Sequence, residues 1–286
     1  PTQINTVSNN DAIIFAGAGG TYTFRFNAND TDFSMKGPIT STATGAQTLA
    51  IATGYGNNGD RESVTFNSGI PNVGDGSALS LSVTFRTQTG SQSWVNLPAV
   101  NTFTGPITLI QGSGGPPTGY LTIGGTLTRY SGNTSGSGTL NSGNYAGAIA
   151  LGTATIINYA SSAPQTLAGV ISGVGALQVT GSGGLTLSGT NTYSGTTTVN
   201  GGGTLVLGST GGLKFVVTDA SNNKITGGGT ATLNGSFTID TTAVTVISGS
   251  WTLVDVTTKA YGGTFSLAGF TGPVSNVYTK VVGGQT

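Results

Sequence analysis

The stretch GLTLSGTNTYSGTTTVNGGGTLVLG, residues 184–208, decides how the rest of the chain is read. Leu185 and Leu187 alternate with Thr186 and Ser188, and Leu205 and Leu207 flank Val206. In an extended chain, residues two apart share a face. Each short run therefore offers an apolar side and a polar or half-polar side, the pattern of a half-buried strand. Glycine punctuates the runs at 184, 189, 195, 201–203 and 208.

The same alternation extends outward. Tyr22, Phe24 and Phe26 alternate with Thr23 and Arg25, and Leu79, Leu81, Val83 and Phe85 alternate with Ser80, Ser82 and Thr84. Threonine suits such strands because its branched β-carbon fits a pleated surface. Gly or a Ser/Thr cluster interrupts almost every window of ten residues, and each interior Gly costs a helix about 1 kcal/mol relative to Ala. The expectation is an all-β chain with turns roughly every ten residues.

Composition narrows the class. Only 6% of the 286 residues are charged, against a typical ~25%, and 50 are Gly. Thr, Ser, Asn and Gly must therefore cover the surface. Formal net charge is zero and apolar residues recur throughout, which separates the chain from charge-rich disordered segments. Gly has no three-residue period, so collagen is excluded. No run of ~20 apolar residues marks a membrane-spanning helix. The Arg and Lys residues are scattered, with no basic patch for nucleic acid. Pro1 opens into polar sequence and is expected to start a mature chain after removal of an export signal.

A repeat emerges. Asn101-Thr102-Phe103-Thr104-Gly105 matches Asn191-Thr192-Tyr193-Ser194-Gly195, and the strand after each is expected to keep its face. Tyr120–Gly124 is paired with Thr204-Leu205-Val206-Leu207-Gly208 in this reading. A unit with two or three short strands cannot bury its apolar face alone, whereas stacking the next unit buries it and pairs the strand edges. At ~20–25 residues per coil, the chain would make about ten coils and a rod on the order of 50 Å long. Asn and Thr are expected to form ladders with their equivalents above and below. Gly is expected at corners that need positive φ or a tight bend.

Residues 165–208 resemble the autotransporter-associated β-strand repeat of bacterial surface proteins. Leu-x-Leu-x-Gly, Asn-Thr-Tyr-x-Gly and Gly-Thr-Leu-x-Leu-Gly occur there in one order. The likeness is weaker over 96–127 and absent over 1–95. Beyond 212 the chain resembles a tail module that follows such repeats. The resemblance implies export, a surface location and a right-handed parallel β-helix, without catalysis. It divides the chain into a solenoid over 1–212, with 1–95 as its unassigned part or a separate sandwich, and a C-terminal β module over 213–286. A full autotransporter would add a membrane barrel, so a processed passenger, a fragment or another export route is expected.

Candidate chemistry is sparse. With no His or Cys, triad catalysis and His- or Cys-based metal sites are excluded. Asp60-Arg61-Glu62 is the nearest acid–base cluster, but Arg61 opposes its neighbours on a strand, and the cluster reads as a polar turn entering the strand Ser63–Asn67. Asn27, Asn29, Asp30 and Asp32 form an oxygen-rich turn that is either a calcium site or an Asx-turn. Asp75 reads as a hairpin turn. The Gly-rich strings lack the Lys-Ser/Thr and helix of a phosphate loop. Trp94, Trp251, Tyr120, Tyr130, Tyr145 and Tyr159 either stack on sugars or pack within the protein.

Three functions compete. The first is a non-enzymatic stalk, coat or fibre subunit that joins copies of itself through its open ends or through strand addition at Ala12-Ile13-Ile14-Phe15-Ala16. The second is an adhesin for a glycan or host protein. The third, an enzyme that degrades polysaccharide, lacks converging acids.

Overall fold

In the computed structural model, residues 12–26, 32–53, 62–85, 92–112, 118–128, 132–246, 249–274 and 277–279 are described. They form an all-β parallel solenoid with three faces. On the first face, Asp32–Met35, Glu62–Phe66, Gln92–Leu97, Thr118–Ile123, Thr155–Tyr159, Ala176–Val179 and Thr197–Val199 pair in succession. The third face stacks six strands, from Ala18–Arg25 to Ile171–Gly173. Thr190–Asn191 then begins a run of four that ends at Ser266–Ala268. Thr192 N donates to Ile171 O at 2.8 Å across the junction, so this face has ten levels. At ~4.8 Å per level the axis is about 45 Å long.

The second face begins with Ile13–Phe15 on Ile39–Ser41 and is irregular in its next levels. There Gly74 N donates to Ser41 Oγ at 3.1 Å and Thr102 N donates to Ile70 O at 2.9 Å. It becomes regular from Asn144–Tyr145 through Gln165–Leu167, Leu185–Leu187 and Thr204–Leu207. The long strands Ile225–Leu233 and Val254–Tyr261 each serve two faces: the first half of Ile225–Leu233 pairs with Thr197–Val199 and the second half with Thr204–Leu207.

Parallel register explains the alternation. Leu167, Leu187, Leu207 and Leu233 stand above one another on the second face, and all are buried. Leu49, Leu81, Ile107, Ile149 and Ile171 do the same on the third. The first face runs Val64, Val95, Leu121, Ile157, Leu177, Thr197, Ile225 and Val254. Thr197 is the polar break in that column, and the Tyr193 hydroxyl lies 2.5 Å from its Oγ1 inside the core. Burying one Leu side chain contributes about 1.5–3 kcal/mol, so these columns dominate the stability.

Coil length varies while the rise does not. Ile156 pairs with Ala176 and Leu185 with Leu205, twenty residues on, whereas Ile107 pairs with Ile149. The surplus of that widest turn includes a small antiparallel ribbon, Gly125–Thr126 on Thr134–Ser135. The described strands before residue 95 and after residue 212 lie in the same parallel stacks, apart from the antiparallel pair Thr271–Val274 and Val277–Thr279.

Candidate functional site

The motif residues found in the sequence are structural fastenings. Asn101 and Asn191 are both buried. Asn191 Oδ1 accepts from Ile171 N at 2.9 Å in the level below, and its Nδ2 donates to Gly212 O at 3.1 Å in the level above. Asn101 likewise accepts from Ile70 N at 3.0 Å and donates to Thr139 O at 3.4 Å. These amides bond backbone of adjacent coils, so at these two corners a side chain that fastens three levels stands in place of the expected ladder, which does occur where Asn96 Nδ2 donates to the paired Thr65 Oγ1 at 3.1 Å. Phe103 and Tyr193 follow in the core. Gly105 and Gly195 are required by close approach, not positive φ: a Cβ would run into Leu79 O and Gly175 O of the coil below. Leu205 and Leu207 are core residues, while Gly208 closes the strand, its N donating to Leu187 O at 2.9 Å.

The two motif copies occupy different faces. Ile107–Gln111, after Gly105, lies on the third face against Ile149–Leu151, but Thr197–Val199, after Gly195, lies on the first face against Ala176–Val179. Thr118–Ile123 lies on the first face and Thr204–Leu207 on the second, so the expected correspondence is displaced by one side. The motif specifies a corner, and any corner that needs an interior fastening can use it.

Of the calcium candidate, Asn27, Asn29 and Asp30 lie outside the described residues, as do Asp60, Arg61 and Tyr130. Asp32 accepts a 2.5 Å hydrogen bond from Ser63 Oγ on the next level. Asp75 sits in a tight turn, closed by Gly76 N donating to Val73 O at 2.9 Å and Val73 N to Ser77 O at 3.1 Å. Its carboxylate accepts from Gly45 N at 2.7 Å and from Ser77 N at 2.9 Å, tying a turn to a strand of the preceding coil, and these bonds hold its pKa below the usual value. Among the aromatic candidates, Tyr145 and Tyr159 are buried and donate to Gly105 O and Ala163 O. Burial pushes the Tyr145 phenol well up and that of Tyr193 up to about 12. Neither Tyr145 nor Tyr159 can receive a sugar ring.

Trp94 and Tyr120 are different. They occupy paired positions on the outer side of the first face, with ring centroids 6.5 Å apart and planes inclined by 22°. Trp94 is buried, Tyr120 half-buried, and desolvation keeps the Tyr120 phenol protonated above its usual pKa. Beside them the surplus of the widest turn lies against the face. Asn96 donates to Leu127 O at 3.1 Å and accepts from Leu127 N at 2.9 Å. Asn133 accepts from Asn158 Nδ2 at 3.4 Å and donates to Thr180 Oγ1, two coils further on. The result is an open trough of about 260 Å³ reaching from Gln92 to Asn200. Described side chains lining it carry amides, hydroxyls and aromatic rings, and no charge. The excursion that walls it was not foreseen; the one sequence signal was the interval between Asn101 and the next matching motif.

A second recess of about 360 Å³ lies around Asp219, Lys224 and Trp251. Its principal polar groups are already engaged. Trp251 Nε1 donates to Thr218 O at 2.8 Å, and Asp219 accepts from Thr245 N at 2.7 Å and Val246 N at 3.2 Å. Among the described residues no three His, Cys, Asp or Glu side chains gather as a metal site, and no helix is long and apolar enough to cross a membrane.

Fold and trough together define a three-sided β-solenoid with a furrow on one wall whose described lining is uncharged. Compared with family models, curated proteins and solved structures, the chain matches none.

Proposed function

We propose that this chain is a non-enzymatic, exported structural subunit of a bacterial cell surface, acting as a stalk, coat or fibre element that joins end to end with copies of itself. The observation that carries the reading is the state of the two ends. Ala18–Arg25 has a strand partner on one side only among the described residues, and so does Ser266–Ala268 at the far end. An edge with unsatisfied N–H and C=O groups templates further pairing, and a heterologous contact that does not close gives a filament. Strand Ile13–Phe15 pairs with Ile39–Ser41 and exposes Ile14, and among the described residues its other edge has no strand partner and is open to strand addition. The near absence of charge and the likeness of residues 165–208 to the autotransporter-associated repeat support the surface location.

Electron microscopy and light scattering of the purified chain test the reading. Concentration-dependent head-to-tail oligomers or filaments are expected, and Ile14→Lys should shorten them. A dispersed monomer at every concentration would overturn it.

A further inference from the structure

The trough on the first face has three properties that point to a ligand. First, its described lining is uncharged, which disfavours an ionic partner, because buried or half-buried charge needs a counter-charge. Second, Trp94 lines it, and its buried Nε1–H has no hydrogen-bond acceptor among the described residues. The Thr122 hydroxyl, two positions beyond Tyr120, is likewise buried without a partner. Buried polar groups in native proteins are nearly always paired, and an orphan asks for the group that satisfies it. Third, the side-chain amides of Gln92, Gln178 and Asn200 have no partner among the described residues and are half-exposed in the trough.

The spacing adds direction. The lining comes from five successive coils, those of Trp94, Tyr120, Asn158, Gln178 and Asn200, and so spans about 20 Å along the axis. The lining crosses the face obliquely: Trp94 and Tyr120 share one column, Asn158 and Gln178 stand two residues further along their strands, and Asn200 two further still, so an extended chain lying along this diagonal meets a ring at one end and amides at the other. Aromatic faces take the apolar side of a sugar while hydroxyls bond to amides, and Tyr120, braced by Trp94, is the half-exposed ring on offer.

We propose that this trough binds a neutral, linear oligosaccharide, stacking one sugar on Tyr120 and hydrogen-bonding others to Gln178 and Asn200. Binding without cleavage is expected, since no described carboxylate lines the trough to act as acid or nucleophile. Such a site would let a surface rod hold a polysaccharide along its flank.

The test is calorimetric titration of the full chain with cellohexaose, xylohexaose, mannohexaose and laminarihexaose, with hexagalacturonate as the charged comparison. Saturable binding of at least one neutral hexamer is expected, with hexagalacturonate far weaker. In a Trp251→Phe background, Trp94 fluorescence should shift on saturation. Tyr120→Ala should weaken binding at least about tenfold, the worth of ~1.4 kcal/mol. Gln178→Ala and Asn200→Ala, at half-exposed positions that leave the core untouched, should each weaken it severalfold with unchanged melting. Absence of binding to all four neutral hexamers, equal binding of hexagalacturonate, or affinity unaltered in Tyr120→Ala and Gln178→Ala would each overturn the proposal. Polymer formation is scored separately, so failure here leaves the structural role standing.

Discussion

The turns between Ile156 and Leu207 and the turn between Ile107 and Ile149 have the same job and solve it with different amounts of chain. The narrow turns return to register in twenty residues, and the wide one takes twice as many. Both place one residue of each apolar column per level: Leu187 in the narrow region and Leu121 at the wide level are equally buried. Described residues of the surplus, Leu127 and Asn133, lie outside, across Asn96, Asn158 and Thr180, and make one wall of the trough. Core and surface are thus separable variables in this fold. The core fixes how many residues must point inward per level, and turn length decides whether a level carries a feature outside.

If that separation holds, the largest effect should be indifferent to turn width. Leu187→Ala and Leu121→Ala should each cost about 2–5 kcal/mol in denaturant unfolding, the usual range for a cavity in a packed core. A much smaller loss at Leu121 would mean that the wide level is loosely packed and would break the comparison.

A smaller effect should separate two glycines of one narrow turn. Gly195→Ala pushes a methyl against Gly175 O and should cost about 1–3 kcal/mol through coil displacement. Gly201→Ala meets nothing and should stay within about 0.5 kcal/mol. Thermal melts of the two variants would sharpen where the rise is fixed.

The smallest effect needs a pH scan. Tyr145 sits at the wide level and Tyr193 in a narrow one, and burial raises both phenols above the unfolded value of about 10. The native state favours the neutral phenol. This contribution is therefore intact below about pH 10 and is lost as pH rises toward the folded values, by up to about 1.4 kcal/mol per unit per tyrosine. Tyr193→Phe should flatten that fall by one tyrosine's share, and Tyr145→Phe by a similar amount.

Much of this was legible in the sequence, for a physical reason. Period-two alternation is imposed by the pleat itself, so Leu79, Leu81, Val83 and Phe85 could be placed inside from their spacing alone, and all four are buried. The twenty-residue turns were legible because Leu-x-Leu recurs at 185 and 205. Phase was not legible. Asn101 and Asn191 read as one motif, yet they serve different corners, because an amide that bonds backbone above and below needs a corner and not a particular one. The trough was only half legible. Trp94 and Tyr120 stood among six aromatic candidates, and what distinguished them from Tyr145 and Tyr159 was register and the overlying excursion, neither of which is encoded locally.

The in-register leucines at 167, 187 and 207 have an outcome for length. Removing residues 186–205 would splice Leu185 to Val206 and drop one storey cleanly, since Leu205 already stands where Leu185 does. Each storey packs its core only against those adjacent to it, so the molecule can be lengthened or shortened in whole-turn increments of about 4.8 Å, like a ruler cut at its gradations. The trough would register such a cut at once, because its last rung, Asn200, leaves with the storey.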